Sequence, residues 1–364
     1  MKAKIFGLFL CLLGPAGISA QVSTPPAYPL FASPADLHFH AREEFYDLMK
    51  KDDYAAIDAL VAALIAEKRK LPDGDWQLSD MGGLVLHHDG MDPEEKIGGR
   101  PSLKDRIRAW QRRNPASPAA GIAEALMWRV WAGDLRGTGF DRPRFNVQGA
   151  NPKGQVLFKT YMQKAYQALQ AHKPAAAVNP YWYEIMLRVQ GELYRPRAEL
   201  EKTYREGIAR YPWYEPIHSA MILGLAWNED HSPLAIAGFI EKAAERNNRL
   251  YARLWQDWDK AESQHGNLFE DTPVNWPRMR NGLSEGLTLP APERLQGFDG
   301  LPYVRLASYA CRARDWPTYR LARAGSVIGG RFESEWRQSY SEDICNRFAE
   351  NAPNEPAPVP VEKT

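Results

Sequence analysis

Four times the chain sets Ser-Pro or Asn-Pro in front of a run whose apolar residues recur at helical spacing: Ser33-Pro34, Ser117-Pro118, Asn179-Pro180 and Ser232-Pro233. The small polar side chain can accept a hydrogen bond from the free N–H groups of a first turn. Proline loses nothing there, because its missing N–H would have had no helical partner. A device repeated before helical stripes argues against a sheet protein and for an array of helices. The intervals between the four starts are uneven. The expected fold is therefore all-α, an irregular tetratricopeptide-like helical array (an α-α superhelix) without a strict period.

The clearest unit is the stretch 179–216. Trp182, Ile185, Met186 and Val189 form one apolar stripe, Pro196 marks a corner, and Leu200, Tyr204, Gly207 and Ile208 share a face of a second helix. Gly207 would let the neighbouring helix approach closely. Tyr204, Gly207 and Pro212 stand at the aromatic, small and proline offsets of the tetratricopeptide pattern, although the Trp-x-x-Leu-Gly signature of its first helix is missing.

Lys2 and Lys4, an apolar run from Ile5 to Leu13, Gly14-Pro15 and small residues ending at Ala20 read as a secretory signal peptide over 1–20, cut before Gln21. The run is too short to span a bilayer, and no later segment has the apolar length for a transmembrane helix. The expected location is periplasmic or secreted. A balance of 46 basic against 45 acidic residues gives no electrostatic reason to expect nucleic acid. Two of the three cysteines, Cys311 and Cys345, lie beyond the signal. In an oxidising compartment a disulfide between them is the first reading, with two buried thiols as the alternative.

The remaining organisation follows from the punctuation. Residues 21–32 are a proline-rich extended leader, 33–350 the helical-repeat domain, and 351–364 a proline-rich tail expected to be disordered. Between 71 and 100 helical periodicity fails, and a long loop carries Trp76, Met81-Gly82-Gly83 and His87-His88-Asp89, with a strand conceivable over Leu84 to Leu86. Such a loop in a compact domain is usually functional or mobile. Lys68-Arg69-Lys70 crowds the end of the helix before it, where positive charge suits the exposed carbonyls.

Four stretches together resemble a bacterial domain-of-unknown-function family, the one numbered 4034. They are Arg42-Glu43-Glu44-Phe45-Tyr46 with the helix after Asp53; Asp73-Gly74-Asp75-Trp76; Asn114-Pro115-Ala116-Ser117-Pro118 leading to Arg136-Gly137-Thr138-Gly139; and Trp182-Tyr183 through Gly207 to Tyr211-Pro212. The similarity runs from about Ala41 to Ala322, and the His87-His88 loop and the segment between Trp128 and Arg136 depart from it. The resemblance implies a helical fold, and the family supplies no catalytic residue to carry over.

Candidate chemistry is sparse. Gly282-Leu283-Ser284-Glu285-Gly286 matches the nucleophile-elbow pattern, but no strand precedes it and every histidine lies upstream of Ser284. Its glycines read better as a helix end. Glu262-Ser263 matches only the start of a lytic-transglycosylase motif. His87, His88 and Asp89, helped by His38 and His40, could contribute to a metal site, yet no ligand spacing typical of zinc supports them, and Asp73-Gly74-Asp75 lacks the closing Glu of an EF-hand. No metal, other cofactor or catalytic residue is assigned.

Of the twelve tryptophans, Trp76, Trp182, Trp213 and Trp316 sit near loops or corners where a concave face would expose them. The reading that results is a noncatalytic scaffold binding a protein or peptide through Trp182, Tyr183, Tyr204, Trp213 and Tyr214. The rival is a cell-envelope enzyme acting on glycan or peptide, centred on the loop from Trp76 to Asp89 or on Glu262. Convergent titratable groups with shifted pKa values would favour the rival.

Overall fold

The computed structural model describes residues 34–85, 92–96, 100–136, 152–227, 232–261, 267–288, 301–325 and 341–352. Among them the regular structure is helical: α1 (Pro34–Lys50), α2 (Tyr54–Glu67), α3 (Leu103–Arg113), α4 (Pro118–Arg136), α5 (Pro152–Ala176), α6 (Pro180–Glu192), α7 (Arg197–Arg210), α8 (Pro216–Trp227), α9 (Pro233–Ala244), α10 (Asn248–Ala261), α11 (Leu268–Asp271), α12 (Trp276–Glu285), α13 (Leu301–Arg312), α14 (Trp316–Gly325) and α15 (Glu342–Asn351). Two 3-10 helices, Gln77–Val85 and Gly286–Thr288, complete them. The described residues contain no strand, only an isolated antiparallel bridge between Lys70 and Trp76. The fold is all-α.

The caps work as the sequence implies. The Asn179 side chain accepts from the Tyr181 N–H (2.9 Å), Ser117 from Ala120 (3.1 Å) and Ser232 from Ala235 (3.0 Å). Chain neighbours pack as pairs, α4 with α5, α6 with α7 and α13 with α14, while α6, α8, α10 and α12 touch in succession. Where the start of α6 packs on the end of α7, the ring of Tyr183 lies so close to Gly207 that a Cβ there would meet it at 3.0–3.1 Å, so the glycine sets the spacing of the pair. Gly282 does the same job between α12 and α10. A Cβ there would fall 1.9 Å from the Asn248 carbonyl oxygen, so this glycine is a contact residue inside α12, and only Gly286 ends the helix.

The largest difference from expectation concerns residues 71–85. They are not a loop hung on the outside. Leu71 is buried, Trp76, Leu78, Met81, Leu84 and Val85 are buried in the same core as the helices, and the 3-10 helix packs on α1 and α4. Leu84 and Val85 belong to that 3-10 helix, not to a strand, and Leu86 lies outside the described residues. At Gly83 a Cβ would come within 2.0 Å of the Arg42 carbonyl oxygen, so backbone meets backbone where this segment crosses α1.

At the other end the sulfurs of Cys311 and Cys345 are bonded, with Cα atoms 5.8 Å apart, tying α15 to α13. A cross-link over a sequence separation of 34 stabilises by about 3–4 kcal/mol in the chain-entropy picture. Among the described residues no helix is long and apolar enough to cross a membrane. The stretch 1–20 read as a signal peptide, the expected leader, His87-His88-Asp89, Glu262-Ser263 and nearly all of the expected tail lie outside the described residues.

Candidate functional site

After α2 the chain doubles back on itself. The Leu71 N–H donates to the Asp75 carbonyl (2.7 Å), and the Asp75 N–H donates to the Asp73 side chain (3.1 Å). Gly74 makes the turn at φ 90°, a left-handed conformation that favours glycine. The Asp-Gly-Asp-Trp stretch is thereby a tight turn that sends two carboxylates to one side. On that side stands His38 of α1.

His38 bridges three aspartates. Its Nδ1 lies 2.9 and 3.1 Å from the two oxygens of Asp80, its Nε2 lies 3.0 Å from Asp73 Oδ2, and Asp75 Oδ2 is 3.4 Å from Nε2. Asp73 and Asp80 are buried, whereas 21% of the His38 side chain and 27% of Asp75 reach solvent. Burial alone would lower the His38 pKa, but the hydrogen bonds to Asp73, Asp75 and Asp80 outweigh it and raise the pKa to about 12. Burial would likewise raise Asp75, yet the Arg253 charge and the hydrogen bonds from His38 and Arg253 hold it well below the usual carboxylate range.

Arginines close the cluster. Arg42, one turn along α1, donates to Asp80 Oδ1 (3.1 Å). Arg253 of α10 reaches Asp75 Oδ1 (2.5 Å) and also Asp257 (3.2 Å), which accepts from the Ser219 hydroxyl of α8 (2.5 Å). The segment also reaches α6. The Ser79 hydroxyl donates to Glu184 (3.0 Å) and lies 2.8 Å from the Tyr214 hydroxyl, which donates to the same carboxylate (2.8 Å). Burial raises the Glu184 pKa against the opposing charge of Arg188. Residues 73–80 thus gather polar groups from α1, α6 and α10, with α8 linked through Asp257 and Arg253.

Aromatic packing accompanies this network. Trp76 is buried against Trp213 (5.0 Å) and Tyr214 (5.6 Å). Lys68 stands over the Trp213 ring (5.4 Å) and Lys70 over Trp76 (4.5 Å), so two of the three charges that end α2 serve as cation–π partners.

The aromatic face read from the sequence does not survive intact. Trp182, Tyr183 and Tyr214 are at most 1% exposed. They are core side chains: α6 is buried on nearly every side, so Trp182 and Tyr183 are both enclosed, and Tyr214 turns inward from the connection between α7 and α8. The Trp182 indole N–H donates to the Leu169 carbonyl (3.0 Å). Tyr204 is half-buried, its hydroxyl 2.8 Å from His218 Nδ1 and its ring edge-on to Phe239. Trp213 alone of the five keeps a partly open indole beside a turn, together with Tyr211.

In the sequence His38 stands out only as a helper of His87-His88, and Asp73-Gly74-Asp75 only as an EF-hand fragment. No spacing rule joins a helical histidine to aspartates 35 and 42 residues later. The available signal was the turn itself, since aspartates flanking a glycine project side chains together. Ser284 lies within α12, with no strand before it. His38, Asp73 and Asp75 each offer a ligand atom, all within 4.8 Å of one another, a donor set suited to a metal ion. Compared with protein-family models, curated proteins and solved structures, the chain matches none.

Proposed function

We propose that this chain is an exported, noncatalytic helical-repeat scaffold that binds a protein or peptide partner in the periplasm or outside the cell, and that it belongs to the family numbered 4034. The observation that carries the noncatalytic reading is the state of His38. Both ring nitrogens face carboxylates, and a pKa raised to about 12 leaves no free imidazole to act as a base near neutral pH. The successive contacts of α6, α8, α10 and α12 favour a stacked array. The Cys311–Cys345 bond fits an oxidising compartment.

The partner surface centres on Trp213, with Tyr211 beside it and Lys68 above. Such an indole offers apolar area at low entropic cost, and the flanking cation favours an acidic or aromatic peptide. One observation favours the rival enzyme: the Ser79 hydroxyl against the raised-pKa carboxylate of Glu184, a pair able in principle to activate a nucleophile.

One experiment separates them. The photo-crosslinker p-benzoylphenylalanine is placed at Arg210, an exposed residue near this corner, and at Leu234 as a control on α9. A discrete protein adduct in intact cells from position 210 alone, weakened by Trp213→Ala, supports the scaffold. Turnover of glycan or peptide by the purified protein, abolished in Glu184→Gln, overturns it.

A further inference from the structure

The cluster around His38 has the geometry of a coordination site as well as that of an ion-pair network. We propose that His38 Nε2, Asp73 and Asp75 bind a divalent first-row transition ion of the zinc type, and that the ion staples α1 to the Asp-Gly-Asp-Trp turn. The inference goes beyond the scaffold reading and shares His38 with it: in the ion-free protein His38 holds the Nε2 proton, and the ion takes its place.

Distances carry the argument. Ligands about 2.0–2.1 Å from a zinc ion lie about 3.3 Å from one another at the edges of a tetrahedron, and about 3.0 Å apart in octahedral geometry. Asp73 Oδ2 and Asp75 Oδ2 stand 3.0 and 3.4 Å from His38 Nε2, and the ligand atoms of all three residues fall within 4.8 Å of one another. The two separations from Nε2 to a carboxylate oxygen therefore already match those between neighbouring ligands of one ion.

Orientation supplies the second element. Asp80 holds the other nitrogen, Nδ1, at 2.9 Å and is itself fixed by Arg42 at 3.1 Å. A carboxylate on the far ring nitrogen is the arrangement that sets tautomer and ring angle for a ligating histidine, leaving the lone pair on Nε2. Arg253 likewise holds Asp75 through its Oδ1, leaving Oδ2, the oxygen nearest Nε2, for an ion. With the Asp75 N–H on Asp73 Oδ1 at 3.1 Å, all three ligands are held through the atom that would not face the ion.

Asp73, Asp75, Asp80 and Asp257 stand here against Arg42, Arg253 and, at longer range, Arg305. Binding replaces the proton on Nε2, which leaves to solvent, and no bond other than N–H is broken. The imidazole in the set favours zinc, nickel or iron over calcium and magnesium, which take oxygen ligands.

The test uses the untagged mature protein, stripped with a chelator and titrated with zinc by calorimetry, with cobalt absorption as a second reading of the coordination shell. The expected result is one zinc per chain and a raised melting temperature, with affinity reduced at least tenfold in His38→Gln and in Asp75→Asn. Asp75 is partly exposed and its amide analogue nearly isosteric, and circular dichroism confirms that both variants are folded before titration. His87→Ala/His88→Ala should bind zinc as the parent does. Absence of stoichiometric binding overturns the proposal, as does binding that survives His38→Gln or disappears with His87 and His88.

Discussion

Burial decides what each aromatic does. Trp182 is enclosed and hydrogen-bonded through its indole N–H, so Trp182→Ala should cost about 3–5 kcal/mol in a urea melt, whereas Trp213→Ala, at a partly open turn, should cost less than half as much. Equal costs would place Trp213 in the core as well. A second residue-scale prediction concerns His218. Burial lowers its pKa from 6.5 to about 4, opposed only slightly by the Glu215 charge, and the Tyr204 hydroxyl faces its Nδ1. Between those pH values the unfolded chain binds the extra proton, so the stabilisation is complete above pH 6.5 and is lost as pH falls toward 4. The linked loss is about 3 kcal/mol. Parent and His218→Gln compared by urea unfolding at pH 7.5 and 4.5 should differ in pH dependence by most of that amount, about 2.5 kcal/mol, and identical dependences would refute it. Which tyrosines and tryptophans were rim and which were core was not legible beforehand, because periodicity identifies a stripe without saying how many layers cover it.

Helices and their starts were legible because caps and apolar stripes are local. Asn179, Ser117 and Ser232 cap where the dipeptides predict, and α6 and α7 follow on either side of Pro196. The 3-10 helix at Gln77–Val85 was missed for the opposite reason. It is short, glycine-containing and without a 3.6-residue period, and it is held by partners far away in sequence, such as Glu44 on Gln77 and Glu184 on Ser79. Its approach to α1 rests on the missing side chain of Gly83. Gly83→Ala should force the two backbones apart and cost about 2 kcal/mol or more, read as a lowered urea midpoint. An unchanged midpoint would mean that this crossing is looser than described. The comparable change Gly82→Ala, where nothing lies within 4 Å, provides the reference.

Across the whole molecule, the sequence implies an array of helix pairs with a long irregular insertion, of the kind that is usually functional or mobile. The structure instead makes residues 71–85 the place where α1, α4, α6, α8 and α10 are joined, through His38, Glu184, Ser219 by way of Asp257, and Arg253. Tertiary ties of this kind leave no periodic trace, since each depends on residues tens to hundreds of positions apart. A scaffold built this way would hold the Trp213 corner rigid for a partner, because Trp76 packs on it from the same segment. Hydrogen–deuterium exchange of the native protein tests that central claim most directly, since protection reports the free energy of local opening. Peptides covering 71–85 should exchange as slowly as those from α6 and α8. Exchange on the timescale of an open surface loop, with α6 and α8 still protected, would contradict the account and return this segment to the role of a mobile insertion.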